Sequence, residues 1–250
     1  MISKTEIQIS KFKMAFLVLL MTGAMVACTS DFELAGSAWS NSYTGIDDDG
    51  DAYTATYTLV CNSESSGMLF LNISYADDEM PFCFAMPMTY TWDGSEGTAK
   101  ATLKNPEVGS MTFSIPLSYS KETGLQATFT SIELLMEIGS PLELKKQNFA
   151  KPSTVNGTTW ATSFSNYGEN YNYELNFTSS TAAVLNLTMS EGFGDWETMN
   201  WNVNYSYSHG IGTTSITFDG ETIEGGFYMP DNNTMLFSDG ENGLLLTKKQ

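Results

Sequence analysis

The sequence predicts an all-β fold: two tandem antiparallel up-and-down barrels of about eight strands each. Three observations carry that expectation. The first is alternation: Tyr53, Ala55, Tyr57, Leu59 and Cys61 interleave with Thr54, Thr56, Thr58 and Val60. Tyr171, Tyr173, Leu175 and Phe177 likewise interleave with Asn172, Glu174 and Asn176. Neighbouring side chains of a strand point to opposite faces, so a period of two means strands with one face in a core. The second is punctuation by Asp49-Gly50, Asp93-Gly94, Asp219-Gly220, Pro230-Asp231-Asn232 and Asp239-Gly240, which are turn sequences. No stretch after residue 28 sustains helical spacing over three turns. Hairpin-linked strands in such numbers close best as a barrel, which leaves no unpaired edge.

The third observation is an internal repeat. Gly36-Ser37-Ala38-Trp39 recurs as Gly157-Thr158-Thr159-Trp160. Tyr57 and Leu59 recur as Tyr173 and Leu175, and Leu69, Leu71 and Ile73 as Leu185, Leu187 and Met189. Tyr90, Trp92, Gly97 and Thr98 match Tyr205, Tyr207, Gly212 and Thr213; Phe113 and Pro116 match Phe227 and Pro230. Lys145-Lys146-Gln147 matches Lys248-Lys249-Gln250. The offset shrinks from block to block, as it does when the second copy has shorter loops.

In chain order, residues 1–27 read as a signal peptide. Lys4, Lys11 and Lys13 precede the apolar run Met14 to Ala27, which is of export-signal length and too short to span a bilayer comfortably. Its end, Met25-Val26-Ala27-Cys28, resembles the bacterial lipobox, with Met25 where Leu is usual. That resemblance implies cleavage before Cys28 and lipid attachment to it. Acyl chains then hold the chain to a membrane at about 0.8 kcal/mol per buried methylene. Residues 28–35 form a tether whose Thr29-Ser30-Asp31-Phe32-Glu33 is similar to the acidic export stretch of Bacteroidetes surface lipoproteins. The expected location is extracytoplasmic, on either face of the outer membrane. The first repeat spans 36–147 and the second 155–250. Between them lies a linker, 148–154, broken by Pro152 and short enough to keep the units together. A tether this short places the first barrel near the membrane and the second outward.

A first strand carrying Gly-x-x-Trp, followed by hairpin-linked strands, resembles the lipocalin-like or calycin-like barrels of small Bacteroidetes lipoproteins, here in two copies. In lipocalins proper the motif is Gly-x-Trp and an Arg near the last strand covers the Trp; this chain has no Arg. The resemblance implies a barrel architecture, and a fold by itself assigns no function.

Charge excludes one class of partner. The chain carries 11 basic residues, all Lys, against 29 acidic ones, a formal net charge of −18. Loss of the lysine-bearing leader makes it more acidic still. Such a field repels phosphate backbones, so nucleic acid is not an expected partner.

Few residues point to chemistry. His209 is the only histidine, lies between Ser208 and Gly210, and reads as an exposed turn residue. No Gly-x-Ser-x-Gly, His-Glu-x-x-His or phosphate-cradling glycine loop occurs. No catalytic residue, enzyme activity or cofactor is expected. Asp47, Asp49 and Asp51, with Asp48 between them, form an acidic hairpin tip of hard oxygen ligands, a candidate Ca²⁺ site without EF-hand spacing. Cys61 and Cys83 allow either a disulfide or two buried thiols. Trp196 and Phe193 lie in the loop Glu191-Gly192-Phe193-Gly194-Asp195-Trp196, which has no clear counterpart in the first copy, and are the candidate ligand-binding residues.

The expected function is a membrane-anchored, non-enzymatic binding module. Its candidate partners are a glycan, a small apolar ligand or an envelope protein. The rival readings are a structural envelope component with filled barrels and a carboxylate-based hydrolase. Barrels of this size lined by Tyr, Leu, Phe and Met are expected to be packed.

Overall fold

The computed structural model describes residues 32–47, 49–75, 81–105, 109–129, 141–166, 169–191, 196–218, 220–240 and 242–249. The chain divides into two compact units, Met1–Glu33 and Leu34–Gln250, and every strand belongs to the second. The signal peptide and Cys28 lie outside the described residues. Among the described residues no helix is long and apolar enough to cross a membrane.

The first barrel comprises β1 (Ser37–Ile46), β2 (Ala52–Cys61), β3 (Ser66–Tyr75), β4 (Phe82–Trp92), β5 (Glu96–Asn105), β6 (Gly109–Ser120), β7 (Gly124–Ala127) and β8 (Leu142–Gln147). The second comprises β9 (Thr159–Asn166), β10 (Glu169–Phe177), β11 (Ala182–Glu191), β12 (Trp196–Ser208), β13 (Ile211–Phe218), β14 (Glu221–Tyr228), β15 (Thr234–Ser238) and β16 (Gly243–Lys248). Both are closed, and each strand pairs antiparallel with its neighbour in sequence. Trp39 opposite Lys146 closes the first ring, and Trp160 opposite Lys248 closes the second. The all-β, tandem-barrel expectation holds.

The repeat is visible strand by strand, and it corrects two of the sequence alignments. Tyr57 lies opposite Leu71 and Tyr173 opposite Leu187, as the sequence match implies. In the sixth strand, however, Gly97 faces Leu117 while its equivalent Gly212 faces Phe227. Phe227 therefore corresponds to Leu117 and not to Phe113. In the last strand Lys146 corresponds to Lys248, one residue off the alignment of the two Lys-Lys-Gln tripeptides. Two adjacent lysines can be slipped by one in a sequence comparison, whereas a slip in a closed sheet would turn every side chain to the other face.

Lumen and outer wall follow the pleat. Tyr57, Leu59, Leu69, Leu71, Met86, Ala99, Ile115 and Leu125 fill the first barrel, all buried. On β2 to β4 the outward residues Val60, Met68, Phe70, Cys83 and Ala85 are buried as well. With Ala38 they form an apolar layer against Ile211 and Tyr228 of the second barrel. The rings of Phe70 and Tyr228 lie 4.9 Å apart. Continuous runs such as Met68-Leu69-Phe70-Leu71 mark strands covered on both faces.

Two glycines let the barrels approach. A Cβ on Gly243 would sit 2.5 Å from that of Cys83, and one on Gly226 would sit 2.6 Å from Met68 Sδ. Polar groups at the seam are paired: Gly243 N donates to Pro81 O at 2.9 Å, Ser238 Oγ to Cys83 O, and Ala150 N to Met229 O at 2.8 Å. Lys104 Nζ lies 2.9 Å from Glu224 Oε1, an exposed pair of small energetic value.

The cysteine alternative resolves on geometry. Cys61 continues the lumen face of β2, and Cys83 belongs to the outward face of β4, so a barrel wall separates two free, buried thiols. Burial pushes each up from 9.0 to about 12, with a hydrogen bond from Tyr90 to Cys61 and from Ser238 to Cys83 acting the other way. A folded-state pKa above the unfolded value means the unfolded chain loses its proton first. The associated stability is full below pH ~9 and is lost as pH rises from there toward 12. Each thiol is expected to withdraw about 2 kcal/mol by pH ~10.5. Thermal melts between about pH 8 and 11 check this, and the double variant Cys61→Ala, Cys83→Ala should remove the part of the loss that begins near pH ~9, leaving that of the buried Tyr57 and Tyr173 above pH ~10.

Candidate functional site

Each residue of the repeated Gly-Ser/Thr-x-Trp motif has a task at the closed end of its barrel. Gly36 and Gly157 have φ of 72° and 75°, in the left-handed region where a side chain is strained. Trp39 Nε1 donates to Ser37 Oγ at 2.7 Å, which donates to Leu34 O at 2.5 Å. Trp160 Nε1 donates to Thr158 Oγ1 at 2.8 Å, which donates to Val155 O at 2.5 Å. Lys146 Nζ lies 6.0 Å from the Trp39 ring and Lys248 Nζ 5.8 Å from that of Trp160. The lysine of the last strand thus covers the tryptophan of the first, the place that sequence reading left empty for want of an Arg. Tryptophan, hydroxyl and lysine form a structural plug in both barrels.

The barrels differ at the other end. In the first, Phe129 follows β7 and is 3% exposed, with its ring 4.2 Å from that of Tyr57. It stoppers a lumen whose central residues, Tyr57, Leu59, Leu69 and Leu71, are buried. Tyr57 is wholly buried, and among the described residues its hydroxyl has no hydrogen-bond partner. Burial, then Tyr53 and Tyr43, pushes that phenol up to about 12. Removing an unpaired buried hydroxyl costs nothing, so Tyr57→Phe is expected to leave stability unchanged or raise it by up to about 1–3 kcal/mol. Tyr205→Phe, which loses the 2.6 Å bond from its hydroxyl to Ser179 O, should cost about 1 kcal/mol. Urea melts of the two variants read both.

In the second barrel the residue equivalent to Phe129 is Asp239. Behind it the lumen holds a cavity of about 320 Å³, lined by Tyr173, Leu185, Leu187, Met199, Trp201, Ile216 and Ile223, with Asp239 and Asn242 at its edge. Phe164 stacks on Tyr171 at 5.3 Å and on Tyr173 at 5.9 Å along the same wall. The expectation that both barrels are packed is therefore corrected for the second, which is open at one end. Two substitutions account for it. A short polar turn, 239–242, replaces the long β7–β8 connection, and Asp239 cannot take the apolar place of Phe129. Other hollows lie on the outer walls, including one of about 590 Å³ at the seam lined by Met68, Pro87, Met88 and Ile211 together with Thr89 and Thr213. A cavity that enters the lumen between apolar side chains, with a few polar groups at its mouth, is the better ligand site.

No protein-family model, curated protein or solved structure matches this chain. The site must be read from its own residues.

Asp239 Oδ1 accepts from Asn242 N at 2.7 Å and Oδ2 from Asn242 Nδ2 at 3.2 Å, which fixes the carboxylate at the rim. Burial first, then the Asp239 carboxylate and Tyr171, pushes the Tyr173 phenol up to about 12, so it stays a hydroxyl. Tyr171 donates its hydroxyl to Glu169 Oε2. The cavity offers flat apolar walls, a neutral phenol and a negative rim.

Of the residues singled out from sequence, Phe193 lies outside the described residues. Trp196 is described in its backbone alone, opposite Ser190 at the start of β12. The up-and-down order puts the β11–β12 and β15–β16 connections at the same end of the barrel, the open one. Asp47 Oδ1 accepts from Asp49 N at 3.1 Å and Asp51 N at 2.8 Å, so this carboxylate closes its own turn. Among the described residues no cluster of three or more His, Cys, Asp or Glu side chains has the arrangement of a metal site. His209 is exposed in the β12–β13 turn at φ 50°, its Nδ1 2.8 Å from Ser208 Oγ. Sequence reasoning missed Trp201, Met199 and Asp239. Asp239 had a signal in Asp239-Gly240, which was read as turn chemistry alone.

Proposed function

We propose that this chain is an extracytoplasmic lipoprotein, lipid-anchored to the outer membrane through Cys28, that binds a small apolar ligand in the mouth of its second barrel. It converts nothing; it binds. The observation carrying this reading is the cavity of about 320 Å³ in the second barrel, at the end where Phe129 stoppers the first. An engineered cavity of about 150 Å³ admits benzene, so this volume suits a body of one or two rings. Support for the anchor comes from Met25-Val26-Ala27-Cys28 after an apolar run. The architecture supports kinship with lipocalin-like or calycin-like lipoproteins.

The stoppered first barrel favours a structural role for that half. It holds the β15–β16 turn through Pro81 and Cys83 and so braces one lip of the cavity.

Two experiments test the reading. The unlipidated mature chain (Cys28→Ser) is expected to bind indole in calorimetry, and Asp239→Phe, which copies the stopper of the first barrel, should weaken binding at least about tenfold. Failure of indole to bind sinks the cavity reading. For the anchor, labelled palmitate should mark the wild-type chain in bacteria and not Cys28→Ser; label in neither refutes it.

A further inference from the structure

The two lumens differ in charge at the place where one is stoppered and the other is open. We infer that the mouth of the second barrel selects a cation, a protonated amine carried on a flat apolar body of one or two rings. This rests on the reading of that cavity as the ligand site.

The walls select the body. Trp201 and Tyr173 line the cavity together with Leu187 and Met199, and Phe164 stacks on Tyr173 and Tyr171 beside it. Aromatic faces attract both flat rings and cations placed over them. The rim selects the head group. Asp239 lines the cavity, half-buried, with its carboxylate held in place by Asn242. Glu169, Glu197 and Glu221 sit at the same end of β10, β12 and β14, and no Lys, Arg or His occupies the described strand ends there. Lys248 and Lys249 lie at the opposite, plugged end, and Lys104 of the first barrel is paired with Glu224. A field of one sign over a low-dielectric cleft raises the local concentration of the opposite charge. An anionic ligand would meet the Asp239 carboxylate, and no Lys, Arg or His is among the described residues that line the cavity. A neutral one would leave the carboxylate partly desolvated for no return.

Three indoles of one shape separate the possibilities: tryptamine, tryptophol and indoleacetate, titrated by calorimetry into the unlipidated mature chain. Tryptamine is expected to bind at least about tenfold tighter than tryptophol, in keeping with a charge-assisted contact, and indoleacetate weakest. In Asp239→Asn the preference for tryptamine over tryptophol should fall toward unity, as the charge-assisted contact is lost and the cost of desolvating the carboxylate under a neutral ligand is relieved. Equal affinity for tryptamine and tryptophol overturns the cation selectivity and leaves the apolar cavity standing. A preference that survives Asp239→Asn overturns the assignment to this carboxylate. Absence of binding by all three removes the cavity reading and this inference with it.

Discussion

Trp160→Ala is expected to destabilise the protein by about 3–5 kcal/mol, seen as a lower urea midpoint at unchanged slope. Trp160 is 1% exposed and closes the second barrel, so truncation opens a void at the one end of that lumen that is sealed. The void has no easy collapse, because the surrounding strands are locked in a closed ring. Two further losses add to it. Thr158 Oγ1 no longer receives the indole N–H, though it keeps its own bond to Val155 O. Lys248 loses the ring it covers. The same change at Trp39 should cost less, since that ring is 7% exposed. An equal or smaller effect at Trp160 would show that the plug is not what holds the second barrel closed.

How much of this was legible in the sequence depends on which forces wrote it. Alternation at Tyr57-Leu59-Cys61 and Tyr173-Leu175-Phe177 exposed the strands, because a one-sided core enforces a period of two. The repeat exposed the tandem barrels, because a closed eight-stranded ring needs the same anchors at the same places. Gly-Ser/Thr-x-Trp survived in both copies since each position has a separate duty: a left-handed backbone, a relay hydroxyl, a buried ring. The cavity was not legible. Tyr173, Leu185 and Leu187 match Tyr57, Leu69 and Leu71, residues that line a stoppered barrel. What empties the second one is a missing stopper, Asp239 for Phe129, in a region where loop lengths differ and alignment by pattern fails. The seam between barrels was half-legible. Met68-Leu69-Phe70-Leu71 is apolar on both faces, which one barrel in water does not require.

That seam yields the other large effect. Phe70→Ala is expected to cost about 3–5 kcal/mol and to split one cooperative melt into two. Phe70 is wholly buried, yet it points away from its own lumen, with its ring 4.9 Å from Tyr228 across the seam. Its truncation leaves each barrel's interior as it was and removes the aromatic contact between them. If the lumens alone governed stability, the change would resemble a surface substitution of within about 0.5 kcal/mol. Units joined by a buried apolar layer unfold together only while that layer outweighs the difference in their own stabilities. The weaker barrel should then melt first, and the stoppered one, with Phe129 packed on Tyr57, should be the survivor. Calorimetry reads the two transitions. Ligand binding supplies the second readout, because Ser238 and Gly243 reach Cys83 O and Pro81 O across the same seam and flank the Asp239–Asn242 lip. A loosened seam should weaken indole binding in Phe70→Ala while the lining residues stay unchanged. A single transition with unaltered indole affinity would mean that the coupling between the barrels does not run through Phe70.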